Sequence, residues 1–149
     1  MILRDLLSST PPVQVQGNLD VEIVHLAYDS RNVQPGTLFF ALPGTKSDGS
    51  RFVTEAVARG ASAVVVPPGF TVPSHTTAIY SSAARTLLGV CADRFYRHPT
   101  SQMAMVGVTG TSGKTTTTYL IEAIWQAMGW DPGVVGTINY RFRDRVFSA

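Results

Sequence analysis

The sequence predicts an α/β protein: a small α/β unit over residues 1–99, then the start of a second domain over residues 100–149. Apolar runs of strand length, such as residues 61–66, alternate with segments of helical periodicity. A polar Pro-Thr-Ser-Gln stretch at residues 99–102 follows the last such helix and separates the two parts. Beyond it, an apolar run leads into a glycine-rich turn and a helix start. We therefore expect the second part to hold a strand, a loop, a helix and a further strand.

The composition is that of a packed protein with little charge. Of its residues 44% are hydrophobic and 15% are charged, and the formal net charge is +2. Ten of the twelve basic residues are arginines, and they are scattered except for Arg141, Arg143 and Arg145. This pattern argues against a nucleic-acid-binding protein. The three arginines alternate, so we expect them on one solvated strand face.

The compartment is predicted from two features. No signal peptide and no apolar run of about 20 residues, the length needed to span a bilayer, is visible, which favours a soluble cytoplasmic protein. The one cysteine, Cys91, lies in an apolar helical pattern with Leu87, Leu88 and Phe95. A lone thiol suits a reducing compartment, and we interpret Cys91 as part of the core rather than as a nucleophile.

The first part is expected to alternate strands and helices. A short helix within residues 1–10 should end at the prolines at 11 and 12, and the apolar run at 37–42 should be an interior strand. His25 is interpreted as a strand-face residue. The other expected elements are strands at about 21–28, 61–66 and 77–80, a helix running to Gly60 and a helix over 84–95.

Short polar segments are expected to start the helices and to form one tight turn. Asp48 or Ser50 can cap the helix that runs to Gly60, and Ser81 or Ser82 can cap the next one. Asp29 and Arg31 are interpreted as a local turn-stabilising pair.

The second part is expected to be incomplete. We predict a strand at 103–108, a helix from Lys114 to Gly129, a strand at 133–138 and a polar, irregular segment at 139–149 that is at most half a hairpin. Few residues follow Lys114, too few for the further strands of a phosphate-binding domain. We therefore expect a truncated domain whose uncovered apolar faces favour self-association.

The glycine-rich turn carries the chemistry of the second part. Gly110 and Gly113 allow a tight turn and a close approach to a ligand. Backbone N–H groups at the following helix start, together with the charge of Lys114, suit a nucleotide phosphate, and the Thr115 hydroxyl can ligate Mg²⁺. The match to the general phosphate-loop pattern is partial, because Val108 stands where that pattern has its first glycine.

Three blocks of sequence together resemble the Mur ligases, the ATP-dependent amino-acid ligases of bacterial peptidoglycan precursor synthesis. Residues 28–31 and 33–41, followed by 44–52 and 56–63, are similar to that family's uridine-nucleotide-binding domain. Residues 95–99, leading into 107–116, are similar to the join with its ATPase domain, where the loop Gly-Thr-Ser-Gly-Lys-Thr-Thr begins at Gly110. The His98-Pro99 join and the Gly-Thr-Ile at 136–138 most resemble the MurE branch, which adds the third residue of the peptide.

The resemblance implies a role for each matching residue. Tyr28 and Ser30 would contact the uridine part of the UDP-sugar substrate, and Lys114 would be catalytic at the terminal phosphates. Thr115 would be the metal ligand. The loop residues Thr45, Lys46 and Ser47 would lie near the diphosphate, and the ATP phosphates would be bound by Gly110, Thr111, Ser112, Gly113, Lys114, Thr115 and Thr116.

The resemblance also implies a reaction and its partners. ATP, with Mg²⁺, would phosphorylate the D-glutamate side chain of UDP-MurNAc-L-Ala-D-Glu, and the resulting acyl phosphate would be attacked by meso-diaminopimelate or L-lysine. No nucleic acid or membrane partner is expected, and the full-length protein would be a monomer. Since the family's remaining substrate, metal and amino-acid contacts lie beyond residue 149, we expect these residues alone to be inactive. The alternatives are a MurF-type ligase and a non-catalytic UDP-nucleotide-binding module.

Overall fold

The computed structural model describes residues 1–11, 13–44 and 48–148. They form two compact units, Met1–Met103 and Ala104–Ala149. The helices are α1 (Leu3–Leu7), α2 (Val53–Ala58), α3 (Ala84–Phe95) and α4 (Lys114–Ala127). The strands are β1 (Gln14–Gln16), β2 (His25–Ala27), β3 (Thr37–Phe40), β4 (Ala61–Val66), β5 (Thr77–Tyr80), β6 (Gly133–Val135), β7 (Asn139–Phe142) and β8 (Arg145–Ser148). Short 3₁₀ turns occupy Ser30–Asn32, Gly49–Phe52 and Pro99–Gln102.

The first unit is built on a five-stranded sheet with the order β1-β5-β4-β3-β2. Strands β2 to β5 are parallel, and β1 pairs antiparallel with β5 at one edge. Interior parallel strands are covered on both faces, which is why β3 and β4 read as nearly continuous apolar runs. The predicted α/β class is confirmed, and β3 is an interior strand as expected.

Helices cover both faces of this sheet. Leu38 and Phe40 of β3 pack in a cluster with residues of α1 and α3. Phe39 points the opposite way, into a second cluster with Val53 of α2. Cys91 is completely buried in the first cluster, and burial raises the pKa of its thiol to about 11. The interpretation of Cys91 as a core residue is therefore correct.

The second unit consists of α4 and a three-stranded antiparallel sheet with the order β6-β7-β8. Its helix begins at Lys114, as predicted. Among the residues of this unit that the structure describes, only Pro132 is buried. Large apolar side chains of this unit are exposed; for example, Leu120 and Ile124 of α4 are 61% and 58% exposed.

The structure corrects three predictions for the second part. Residues 103–108 do not form a strand, because no neighbouring strand pairs with their backbone and Met105 and Val106 are exposed. The segment at 139–149, expected to be irregular, contains the complete hairpin β7–β8. The arginines do not share a face, since the hairpin turns at Arg143, whose φ is +52°.

The first part differs from the prediction mainly at its sheet edges. The edge strand β1 was not predicted, although Val13 and Val15 alternate with glutamines there. The strand expected at 21–28 is limited to His25–Ala27, where it pairs with β3. His25 lies on that strand beside Thr37, as expected of a strand-face residue.

The side-chain caps predicted for the two helices are wrong, because α2 and α3 begin after Phe52 and Ala83 without a side-chain capping bond. Asp48 instead caps the 3₁₀ turn Gly49–Phe52 by accepting a hydrogen bond from the Ser50 N–H at 2.9 Å, and this bond lowers the pKa of the Asp48 carboxyl. Ser81 accepts one from the Ala83 N–H at 3.1 Å, before the first residue of α3. Within the described ranges, we find no helix with the length and apolar character needed to cross a membrane.

Candidate ligand sites of the two units

A cavity of about 800 Å³ opens in the first unit where the parallel strands β2 and β3 end. Residues 28–31, which follow β2, form one wall, and Leu42 to Gly44, which follow β3, form another. The start of α3, reached from β5, contributes Arg85. Ligands of open α/β sheets bind at the carboxyl ends of strands, so this cavity is where a ligand is expected.

Ser30 is a buried polar residue of the cavity. Only 6% of its surface is exposed, and its Oγ donates a hydrogen bond to Glu55 Oε2 at 3.1 Å. The other carboxylate oxygen of Glu55 accepts from Arg59 Nε at 2.9 Å, one helical turn away. Since Glu55 belongs to α2, the Ser30 hydroxyl is held in position by a helix and not only by the turn that contains Ser30.

Asp29 and Arg31 form the local pair that the sequence suggests. Arg31 Nη2 lies 2.6 Å from Asp29 Oδ2, and Asp29 Oδ1 also accepts from the Arg31 backbone N–H at 3.0 Å. These side-chain and backbone hydrogen bonds lower the pKa of Asp29 to about 2. The Arg31 guanidinium is thereby paired within its own turn.

Both apolar and cationic groups line the cavity. Tyr28 is 67% exposed, and Phe52 lines the cavity together with Leu42 and Leu88. Arg85 donates from Nη2 to the Pro43 carbonyl oxygen at 3.3 Å. Glu55, Phe52 and Arg85 were not predicted as site residues from the sequence. The one local signal was an arginine in the first turn of a helix that follows a strand.

Thr45, Lys46 and Ser47, expected beside the diphosphate, lie outside the described residues. Pro43 and Asp48, which lie on either side of these three positions, pair as an isolated antiparallel bridge. Pro43, Gly44 and Gly49 line the cavity.

The second unit presents its glycine-rich loop at the N-terminus of α4. Gly113 caps the helix in a left-handed conformation, with φ +76°, and Gly110 has φ +149°. Lys114 Nζ donates to the Gly110 carbonyl oxygen at 2.5 Å, so its ammonium group lies over the loop. The first-turn N–H groups of a helix have no intrahelical acceptors and are available to an anion. The loop residues 110–116 thus combine N–H donors, a cation and hydroxyls.

The loop offers little by itself to hold a metal ion. In the described part of the chain, no group of three His, Cys, Asp or Glu side chains is arranged to bind one. Thr115 supplies a single hydroxyl oxygen, which fits Mg²⁺ when nucleotide phosphates and water provide the other ligands. The residues present therefore fit a nucleotide-bound Mg²⁺ rather than a separate protein metal site.

Arg141 connects the hairpin to α4. It pairs with both carboxylate oxygens of Glu122, at 2.6 and 3.3 Å, and its guanidinium carbon lies 4.0 Å from the centre of the Tyr119 ring. Only 14% of each ionic side chain is exposed. Arg141 is therefore a packing residue between the helix and the sheet, in contrast to the solvated face that we expected.

Comparison with known proteins identifies the class. Residues 22–94 match the family described as "Mur ligase family, catalytic domain", and residues 108–146 match "Mur ligase middle domain". The two matches include the cavity wall at 28–31 and the loop around Lys114. The chain belongs to the Mur ligase family.

Individual members of the family resemble this chain to different extents. A UDP-N-acetylmuramoyl-L-alanyl-D-glutamate–2,6-diaminopimelate ligase of Geobacter sulfurreducens is 45% identical over all of this chain, which spans 29% of that relative's length. A solved structure of a ligase of that name matches 99% of the chain and 30% of its own with a TM-score of 0.75; at 21% identity it shows the fold. A MurF structure from Acinetobacter baumannii is 27% identical over 78% of this chain and 25% of its own, with a TM-score of 0.59.

Proposed function

We propose that this chain supplies the UDP-sugar site and the ATP phosphate loop of a ligase that adds the third amino acid to UDP-MurNAc-L-Ala-D-Glu. The chain spans about 30% of the length of the relatives that it matches, so the activity belongs to a longer protein. The observation that carries the proposal is that one chain combines a cavity at the ends of parallel strands with a glycine-rich loop at a helix start.

The cavity of the first unit suits a sugar nucleotide. Tyr28 offers an exposed aromatic surface, Ser30 a fixed hydroxyl, and Arg85 a cation for the diphosphate. Thr45, Lys46 and Ser47 remain proposed diphosphate contacts, because they supply two hydroxyls and a cation between Gly44 and Gly49, which both line the cavity. In this proposal the domain boundary near residues 99–100 separates the sugar-nucleotide domain from the ATP-binding one.

The loop of the second unit suits ATP. The N–H groups of residues 110–116 would bind the phosphates, and Lys114 would stabilise negative charge on the transferred phosphoryl group. Mg²⁺, held in part by Thr115, would neutralise charge on the phosphate oxygens. Positioned in this way, the γ-phosphoryl group of ATP would pass to the D-glutamate side-chain carboxylate with release of ADP. The incoming amine would then displace phosphate from the acyl phosphate and form the amide bond.

The remaining partners follow from the names of the relatives. Those relatives are named 2,6-diaminopimelate ligases, which favours meso-diaminopimelate over L-lysine as the third residue. ATP and a UDP-sugar peptide are cytoplasmic metabolites of bacteria, which supports a cytoplasmic protein. We further propose that the full-length protein is a monomer.

Titration calorimetry of Lys114→Ala tests the ATP site. Removing the ammonium group should weaken Mg²⁺–ATP binding at least tenfold, because a charge-assisted contact to phosphate is lost. UDP binding in the first unit should not change, and UDP titration therefore serves as the internal control. Unchanged ATP affinity in Lys114→Ala would disprove the proposed role of the loop.

The same titrations separate one alternative, and ATP turnover by the longer protein separates the other. A non-catalytic UDP-nucleotide-binding module would bind UDP and fail to bind ATP even when the downstream residues are present. A MurF-type ligase would require the UDP-tripeptide rather than the UDP-dipeptide for ATP turnover. The relatives that match the whole chain at 42–45% identity are named UDP-N-acetylmuramoyl-L-alanyl-D-glutamate ligases, which favours the UDP-dipeptide.

A further inference from the structure

The Ser30–Glu55 hydrogen bond has a consequence for which ligand groups the cavity can accept. A serine hydroxyl has one proton to donate, and a carboxylate only accepts. The Ser30 proton is therefore directed at Glu55 Oε2, 3.1 Å away. What Ser30 Oγ can offer to the cavity is its lone pairs, so it faces the ligand as an acceptor.

Arg59 orients the Glu55 carboxylate in this pair, and the side chains of Arg59 and Glu55 are 46% and 41% exposed. Arg59 Nε donates to Glu55 Oε1 at 2.9 Å, which leaves Oε2 for Ser30. The Glu55 carboxylate thus accepts one hydrogen bond from Arg59 and one from Ser30. Because Ser30 is 94% buried, its hydroxyl cannot exchange this bond freely for water.

The base is the part of a nucleotide that best suits the surroundings of Ser30 and Glu55. Tyr28 and Phe52 provide aromatic surface near Ser30 and Glu55 in the chain, and nucleobases stack on such side chains. The negative charge of Glu55 disfavours a diphosphate beside it, whereas Arg85 on α3 favours one. Among bases, uracil carries an N–H at N3, and cytosine carries an acceptor there.

We propose that Glu55 is a positioning residue that makes Ser30 a hydrogen-bond acceptor and thereby selects uracil over cytosine nucleotides. This inference rests on the proposed sugar-nucleotide function. An N3–H can donate to Ser30 Oγ, while the cytosine N3 lone pair would face the oxygen lone pairs of Ser30. Mismatched buried polar groups of this kind lower affinity by about tenfold or more.

The test is the ratio of UDP to CDP affinity in Glu55→Gln, measured by titration calorimetry. The glutamine Oε1 should keep the hydrogen bond from Arg59. The glutamine Nε2 then donates to Ser30 Oγ, and the Ser30 proton turns towards the cavity. The wild-type preference for UDP should then fall about tenfold or reverse. Glu22→Gln, which makes the same chemical change at an exposed site, should keep the wild-type ratio.

A double-mutant cycle separates positioning from a purely structural effect. With Ser30→Ala in place, Glu55→Gln should no longer change the UDP to CDP ratio. An unchanged ratio in Glu55→Gln, with UDP still bound, would overturn the inference and leave the proposed function intact. Failure of the wild-type protein to bind UDP would overturn both.

Discussion

Four consecutive residues at the cavity have four different environments. Tyr28 is exposed, Asp29 accepts bonds within its own turn, Ser30 is buried against α2, and Arg31 has its guanidinium in solvent. The turn formed by the Asp29–Arg31 pair is what directs Ser30 inward. A residue that only stabilises a turn and a residue that faces a ligand can therefore be immediate neighbours.

The Asp29 carboxyl should titrate with a midpoint near 2, against an ordinary value of 3.8, in an NMR pH titration. Because the pKa is lower in the folded state, the ionised form stabilises the fold above the ordinary value. This contribution is lost as the pH falls towards 2.

Arg31→Ala should move the Asp29 midpoint up towards 3.8, since the side-chain hydrogen bond of Arg31 is the main cause of the shift. Asp48 is the matched control: its pKa is lowered by Ser50, so Arg31→Ala should leave it lowered. A wild-type Asp29 midpoint near 3.8 would contradict the ion pair described here.

At the scale of elements, the segment after β3 depends on one close backbone approach. Gly49 lies where the loop returns to the chain that leaves β3. A Cβ at this position would be 2.6 Å from the Leu42 carbonyl oxygen and 2.7 Å from the Leu42 nitrogen. Backbone atoms cannot move aside as a flexible side chain can, so this position has room only for glycine.

Gly49→Ala should therefore destabilise the protein, by about 1–3 kcal/mol, the usual cost of overpacking. The control is Gly89→Ala in the exposed part of α3, where an added Cβ meets nothing within 4 Å. That change should stabilise by about 0.5–1 kcal/mol, because alanine loses less backbone freedom than glycine on forming a helix. Urea unfolding measures both, and a neutral Gly49→Ala would contradict the close approach.

At the scale of the whole molecule, the two units differ in how much apolar surface they bury. All the buried hydrophobic side chains of the two core clusters belong to the first unit, between Leu3 and Cys91. In the second unit, α4 and the hairpin leave most large apolar side chains exposed. Exposed apolar faces of this extent suit contacts with further protein, and self-association of this chain remains a prediction.

Hydrogen exchange measured by mass spectrometry should show this difference. Amides of β3 and β4 should be the slowest to exchange, since opening them disrupts both core clusters. Peptides from residues 104–148 should exchange faster by orders of magnitude. A denatured sample gives the intrinsic rates for comparison, and equal protection of residues 61–66 and 133–148 would refute the expectation.

Much of the first unit could be predicted because its signals are local. The runs at 37–42 and 61–66 are apolar at every position, which is the pattern of strands covered on both faces. The loop around Lys114 was identified in the same way, since glycines, a lysine and a helix start lie together in sequence. The assignment of Ser30 to the site depended on its family resemblance, and the cavity around it supports that proposal.

The sequence by itself determined the α/β class, the family, the interior strands and the phosphate-loop pattern. Only the tertiary structure decided that residues 103–108 remain unpaired, that β1 adds an edge strand, and that Glu55 of α2 and Arg85 of α3 face the same cavity. The physical reason is that strand pairing and cavity formation join residues distant in sequence. Apolar periodicity and turn chemistry report only what neighbouring residues prefer.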